Sequence, residues 1–102
     1  MKISILLPFK ENYSPSYPGA VSLFVNQITK KSKYKKCITI YGNTKFKKYL
    51  SNDYKNIPVE QNFFFSLNKA YIKSYAKIER RVNSDLIEIH NRPNYFHMIN
   101  KS

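Results

Sequence analysis

Residues 2–42 read KISILLPFKENYSPSYPGAVSLFVNQITKKSKYKKCITIYG, and this stretch decides the fold. Ile3 to Leu7 is an aliphatic run stopped by Pro8, too short for a helix and the right length for a strand buried on both faces. From Phe9 to Pro18 two X-Pro steps and two serines favour extended and turn conformations, so this segment is a loop. Gly19 opens the next element. Val21, Phe24, Val25 and Ile28 recur at three- and four-residue spacing, which predicts a helix with one apolar face from Ala20 to about Lys31. Pro18 suits its start, and Lys30, Lys31 and Lys33 suit its end, where the macrodipole is negative. Cys37 to Tyr41 is β-branched and aromatic, follows the basic turn Lys33-Tyr34-Lys35-Lys36 and stops at Gly42-Asn43. Strand, helix and strand in this order make a βαβ unit, whose strands run parallel and whose crossover is right-handed.

Outward from that unit the pattern repeats. Thr44 to Leu50 reads as a short helix with Thr44 as cap, and residues 56–60 as a short third strand that Pro58 pushes to a sheet edge. Ser66 is placed to cap a second long helix whose inward stripe is Leu67, Ala70, Tyr71, Ser74, Tyr75, Ile78 and Val82. Asp85 to Ile89 is a further strand, stopped by His90-Asn91-Arg92-Pro93, and Asn94 to Lys101 has the makings of a last helix. The expectation is a three-layer α/β, Rossmann-like parallel sheet. Its strands fall at about 2–8, 36–41, 57–60 and 85–89, and its helices at about 19–32 and 66–83.

Composition bounds the rest. A chain of 102 residues with 42% hydrophobic side chains fills one modest core. The single Cys37 closes no intrachain bridge and fits a reducing compartment. The N-terminal apolar run meets Pro8, Lys10 and Glu11 too soon for a secretory signal, and no stretch approaches the roughly 18–20 apolar residues of a membrane span. The chain therefore reads as cytoplasmic. The net charge of +12 raises the question of nucleic acid or an anionic surface, but fifteen of the eighteen cations are Lys and only three are Arg. Base and bidentate phosphate recognition favours Arg, so lysines spread over solvated faces are the better account.

An open parallel sheet binds ligands beyond the carboxyl ends of its strands, which directs attention to residues 9–19 and 90–93. Backbone N–H groups at the helix start beside Gly19 suit an anion, though Gly19 equally suits close packing of helix on sheet. Neither the G-x-G-x-x-G fingerprint nor a P-loop is present. His90, Asn91 and Arg92 put an imidazole, an amide and a guanidinium at one strand end, fit for proton exchange and phosphate pairing, or else for a plain polar turn. Glu88 and His90 share a strand face without a third ligand at metal spacing. Cys37 reads as a buried thiol, His97 as a surface or interface residue, and Phe63-Phe64-Phe65 as core or a partner-facing patch. The KYKK and KFKK runs read as solvated faces.

Two stretches, KISILLPFKENYSPSYPGAVSLFV and DLIEIHNRPNYF, resemble the N-terminal part of family 4 glycosyltransferases, retaining enzymes of two facing Rossmann-like domains (GT-B architecture). The resemblance implies that Gly19 and Ala20 lie by the cleft, where an acceptor or the donor's phosphates approach the first helix. It implies that His90 faces the transferring sugar as the catalytic residue, and that Asn91 and Arg92 bind substrate. The partners it implies are a nucleotide-sugar donor and a saccharide or lipid-linked acceptor, with peripheral contact at the inner face of the membrane; no cofactor or metal is implied. Many relatives have two adjacent glycines where this chain has Pro18-Gly19-Ala20. Such enzymes also have a second domain carrying most nucleotide-sugar contacts, so the chain looks like the first half of an N-terminal domain, inactive alone. The alternative is a small basic nucleic-acid-binding module without catalysis. A half-domain would expose apolar surface, with Phe63 to Phe65, Tyr95, Phe96 and Met98 available for self-association.

Overall fold

Four consecutive buried residues, Ile3 to Leu6, can be satisfied only by a strand with cover on both faces, and that strand organises the molecule. In the computed structural model, described over residues 1–59 and 67–90, β1 (Ile3–Leu6) lies between β2 (Ile38–Gly42) and β4 (Leu86–Ile89). The short β3 (Tyr54–Asn56) pairs on the far side of β2, giving the order β3-β2-β1-β4. All three pairings are parallel: Ile3 stands opposite both Ile38 and Leu86, and Ile40 opposite Tyr54.

The pleat then sorts the core into two. Ile3, Ile5, Leu7, Ile38 and Ile40 pack with Val25 of α1 (Ala20–Lys31), whereas Leu6 and Tyr41 pack with Tyr71, Ile72 and Tyr75 of α2 (Leu67–Val82). The two helices cover opposite faces. The chain is a three-layer, Rossmann-like α/β domain with an all-parallel sheet, the class that the strand and helix spacing predicts.

Several details differ from the sequence expectation. The buried face of α1 is Ser22, Val25 and Thr29, while Phe24 is 56% and Ile28 38% exposed. Ile28 lies on the β4 side, where it lines one cavity with Leu86 and Glu88. The buried stripe of α2 is likewise rotated: Ile72 and Ala76 are buried with Tyr71 and Tyr75, and Leu67 is exposed. No helix forms over 44–50. Thr44 instead accepts a hydrogen bond from its near neighbour Phe46 N–H (3.3 Å) and donates to Asn12 Oδ1 (3.0 Å), a local turn that competes with helix. The third strand ends at Asn56 rather than spanning 57–60. Ile57 N–H still reaches Gly42 O at 2.7 Å, and Pro58, lacking an N–H, closes the ladder. Residues 35–37 form a 3-10 turn, so β2 starts at Ile38, and Cys37 is only half-buried. The expected cap Ser66, the 63–65 aromatic run and residues 91–102 lie outside the described residues.

The core is unusually rich in tyrosine, with Tyr13, Tyr41, Tyr54, Tyr71 and Tyr75 all at most 5% exposed. Their hydroxyls find partners, as burial requires. Tyr71 donates to Leu7 O (2.6 Å), Tyr54 to Asn56 Oδ1 (2.9 Å) and Tyr75 to Glu79 Oε1 (3.2 Å). Gly42 leaves the space that the Tyr54 ring uses, since a Cβ there would fall 2.9 Å from its hydroxyl.

Candidate functional site

The strand order reverses at β1. The chain runs outward through β2 and β3 to one side, then returns to place β4 on the other, so the carboxyl ends of β1 and β4 flank a topological switch point. Segments leaving such neighbouring strands diverge to opposite faces and open a crevice. The loop 7–19 borders it from β1 and His90 borders it from β4, whose extension is fixed by His90 N–H donating to Leu6 O at 3.2 Å.

His90 continues the alternation of β4 and shares a face with Glu88. Its Nε2 lies 2.8 Å from Glu88 Oε1, with the imidazole 16% and the carboxylate 47% exposed. Nε2 is buried beside that carboxylate and forms no further hydrogen bond among the described residues. His90 thus places a largely buried imidazole, paired with a carboxylate, at the strand end where ligands of this fold class bind. Among the described residues no three His, Cys, Asp or Glu side chains come together to hold a metal ion. Asn91 and Arg92 lie outside the described residues.

The other wall holds a residue that sequence reasoning missed. Gly19 is the N-cap of α1, makes no side-chain cap and is followed by no acidic residue in the first turn. The orphan N–H groups need an acceptor from elsewhere, and Glu11 supplies it: its Oε2 accepts from Ser22 N–H at 2.9 Å. The anion at this helix start is therefore the chain's own carboxylate. The absence of any cap in residues 19–22 is the signal that could have pointed to it.

Gly19 is explained by the same contact. Its φ of −75° and ψ of 156° suit any residue, but a Cβ would fall 2.5 Å from the Glu11 carboxylate carbon. Gly19 thus leaves room for an internal cap. Ala20, at the first helical position, is exposed beside it. The loop is tied down further by Gly19 N–H to Asn12 O (3.2 Å), Leu50 N–H to Tyr13 O (3.2 Å) and the Thr44 bond to Asn12. It also carries Lys10 (φ 68°) and Tyr17 (φ 49°) in the left-handed region, which L residues occupy at some cost.

This arrangement makes a non-additive prediction. Gly19→Ala forces Glu11 off the helix start and should cost about 1 kcal/mol in the natural background. In a Glu11→Ala background the same change should be neutral or stabilising by a few tenths of a kcal/mol. Chemical denaturation of the four proteins measures the coupling, expected near 1 kcal/mol; additive costs would show that Glu11 does not cap α1.

Comparison with protein-family models, curated proteins and solved structures returned no match. The fold and the crevice define a Rossmann-like α/β protein, and no helix among the described residues is long and apolar enough to cross a membrane.

Proposed function

We propose that the chain is a Rossmann-like unit of a retaining, metal-independent glycosyltransferase that moves a sugar from a nucleotide-sugar donor to a saccharide or lipid-linked acceptor. The observation that carries the reading is the place of His90, at the switch point and beside Glu88, in the motif His90-Asn91-Arg92-Pro93 that resembles family 4 enzymes. His90 contacts the transferred sugar. Asn91, Arg92, Gly19 and Ala20 border the substrate, and any phosphate that approaches the start of α1 has to displace the Glu11 carboxylate first. In this reading a second Rossmann-like domain supplies most donor contacts. It works in the cytoplasm, in peripheral contact with the inner face of the membrane. Self-association would run through Ile28 and Leu86, which are 38% and 54% exposed and line one cavity beside β4.

The test is binding. Saturation-transfer NMR on the full chain with a panel of nucleotide sugars and oligosaccharides should reveal at least one ligand in the millimolar range, and His90→Ala should weaken it about tenfold or more. Absence of any binding across both panels, or binding indifferent to His90, would defeat the reading.

A second reading, a nucleic-acid-binding module, is favoured by one observation: Lys36, Lys55 and Arg81 form no ion pair among the described residues. The scarcity of arginine argues against it.

A further inference from the structure

We propose that a groove on the α2 side of the sheet, at the amino ends of β1 and β2 and so opposite the switch point, binds a small ligand carrying two or more phosphoryl groups. On this face α2 packs over Leu6, Tyr41, Ile87 and Ile89, and short of that cluster Thr39 and Lys55 line the floor of a groove of about 710 Å³. That volume lies in the range of small-molecule sites, roughly 300–1,000 Å³. Four cations reach it from four different segments: Lys2 at the start of β1, Lys36 from the 3-10 turn, Lys55 from β3 and Arg81 from the last turn of α2. No acidic residue lines it among the described residues, and Ile78 and Val82 form an apolar wall. Charges of one sign along a low-dielectric cleft focus the field on whatever anion enters.

One feature opposes an anion here, because the C-terminal carbonyls of α2 carry partial negative charge. Lys2 offsets it, its Nζ donating to Val82 O at 3.1 Å. Lys36, Lys55 and Arg81 remain, all exposed and none in an ion pair among the described residues. Arg81 offers the planar fork that grips two phosphoryl oxygens, and the lysines add point charges. A short ligand is favoured over a nucleic-acid strand because among the described residues the one aromatic side chain lining the groove, Tyr41, is 2% exposed and offers no open ring face for bases to stack on.

Calorimetric titration of the full chain with inorganic pyrophosphate at low salt tests the proposal. Saturable single-site binding is expected. Arg81→Gln should weaken it about tenfold, and the pair Lys36→Gln/Lys55→Gln at least as much. The pair Lys47→Gln/Lys48→Gln removes the same charge outside the groove and should change affinity by no more than about twofold. Thermal melts confirm that each variant is folded. The proposal is overturned by a lack of saturable binding, or by equal weakening in the two lysine pairs, which would mean net charge alone. It is also overturned if a single-stranded oligonucleotide displaces pyrophosphate and binds more tightly with a steep salt dependence.

Discussion

Tyr13→Ala is expected to cost about 3–5 kcal/mol and to leave a large fraction of the chains unfolded. Tyr13 belongs to a loop, yet its side chain is wholly buried. Its ring stacks on Tyr54 with centroids 4.9 Å apart and planes 9° from parallel. Its hydroxyl donates to Asn26 Oδ1 of α1 at 3.1 Å and shares a 2.7 Å hydrogen bond with Ser51 Oγ ahead of β3. One residue therefore joins the loop after β1 to the helix that follows it and to the outer strand. Truncation removes an aromatic contact, opens a cavity and strips two polar groups of a partner, costs that point the same way. Tyr13→Phe keeps the ring and should cost about 1–2 kcal/mol, since only the hydroxyl bonds are lost. Urea denaturation separates the two variants. A loss below about 1 kcal/mol for Tyr13→Ala would mean that the loop folds independently of the core.

The second large effect is alkaline unfolding. Burial pushes the phenols of Tyr13, Tyr41, Tyr54 and Tyr75 above their usual value, with Tyr13 raised to about 12; neighbouring carboxylates, Asp53 at Tyr13 and Glu79 at Tyr41 and Tyr75, add to the effect. The folded state holds these protons after the unfolded chain, titrating near pH 10, has released them. Their contribution is fully present below about pH 10 and is lost as pH rises towards the folded values. Each tyrosine in that window lowers stability by about 1.4 kcal/mol per pH unit, so Tyr13, Tyr54 and Tyr75, the three with large shifts, together remove much of a small domain's stability by about pH 11–12. The positive charges of a +12 chain also repel one another. They are mostly exposed and screened by salt, so at moderate ionic strength the tyrosines prevail. Circular dichroism and tyrosinate absorbance should change together in one cooperative step. Tyrosines that all titrate near pH 10 within an intact fold would contradict the assignment.

The architecture was legible because its signals are local and redundant. Ile3 to Leu7, Cys37 to Tyr41 and Leu86 to Ile89 are apolar runs of strand length, and the spacing between them leaves room for one helix each time. What sequence could not supply is what each element faces. Phe24 and Ile28 have the right period to be core, but both are exposed, and Ser22 and Thr29 face the sheet instead. Tyr54 to Asn56 hid as a strand because Lys55 and Asn56 are exposed at an outer edge, where pattern is weakest. Tyr71 and Tyr75 stand on the inward stripe and Tyr41 in the strand where the sequence puts them, but no local pattern marks Tyr13 or Tyr54 as core.

For the candidate site, His90 was legible as a polar residue at a strand end, and its neighbour across the switch point was not. Glu11 is eight residues from Gly19 in sequence, and nothing in its own surroundings marks it as a cap. The need for it arises at the helix, where Gly19 offers no side chain.

The most direct test of the central claim, that ligands enter at the β1/β4 switch point, is an amide chemical-shift map of the full chain titrated with the nucleotide sugar or oligosaccharide that binds best. The predicted result is a cluster of shifts over residues 7–19 and 88–90, abolished by His90→Ala, with Lys36, Lys55 and Arg81 undisturbed by a neutral oligosaccharide. Shifts confined to that basic groove, or spread evenly over the lysine-rich surface, would contradict the switch-point site.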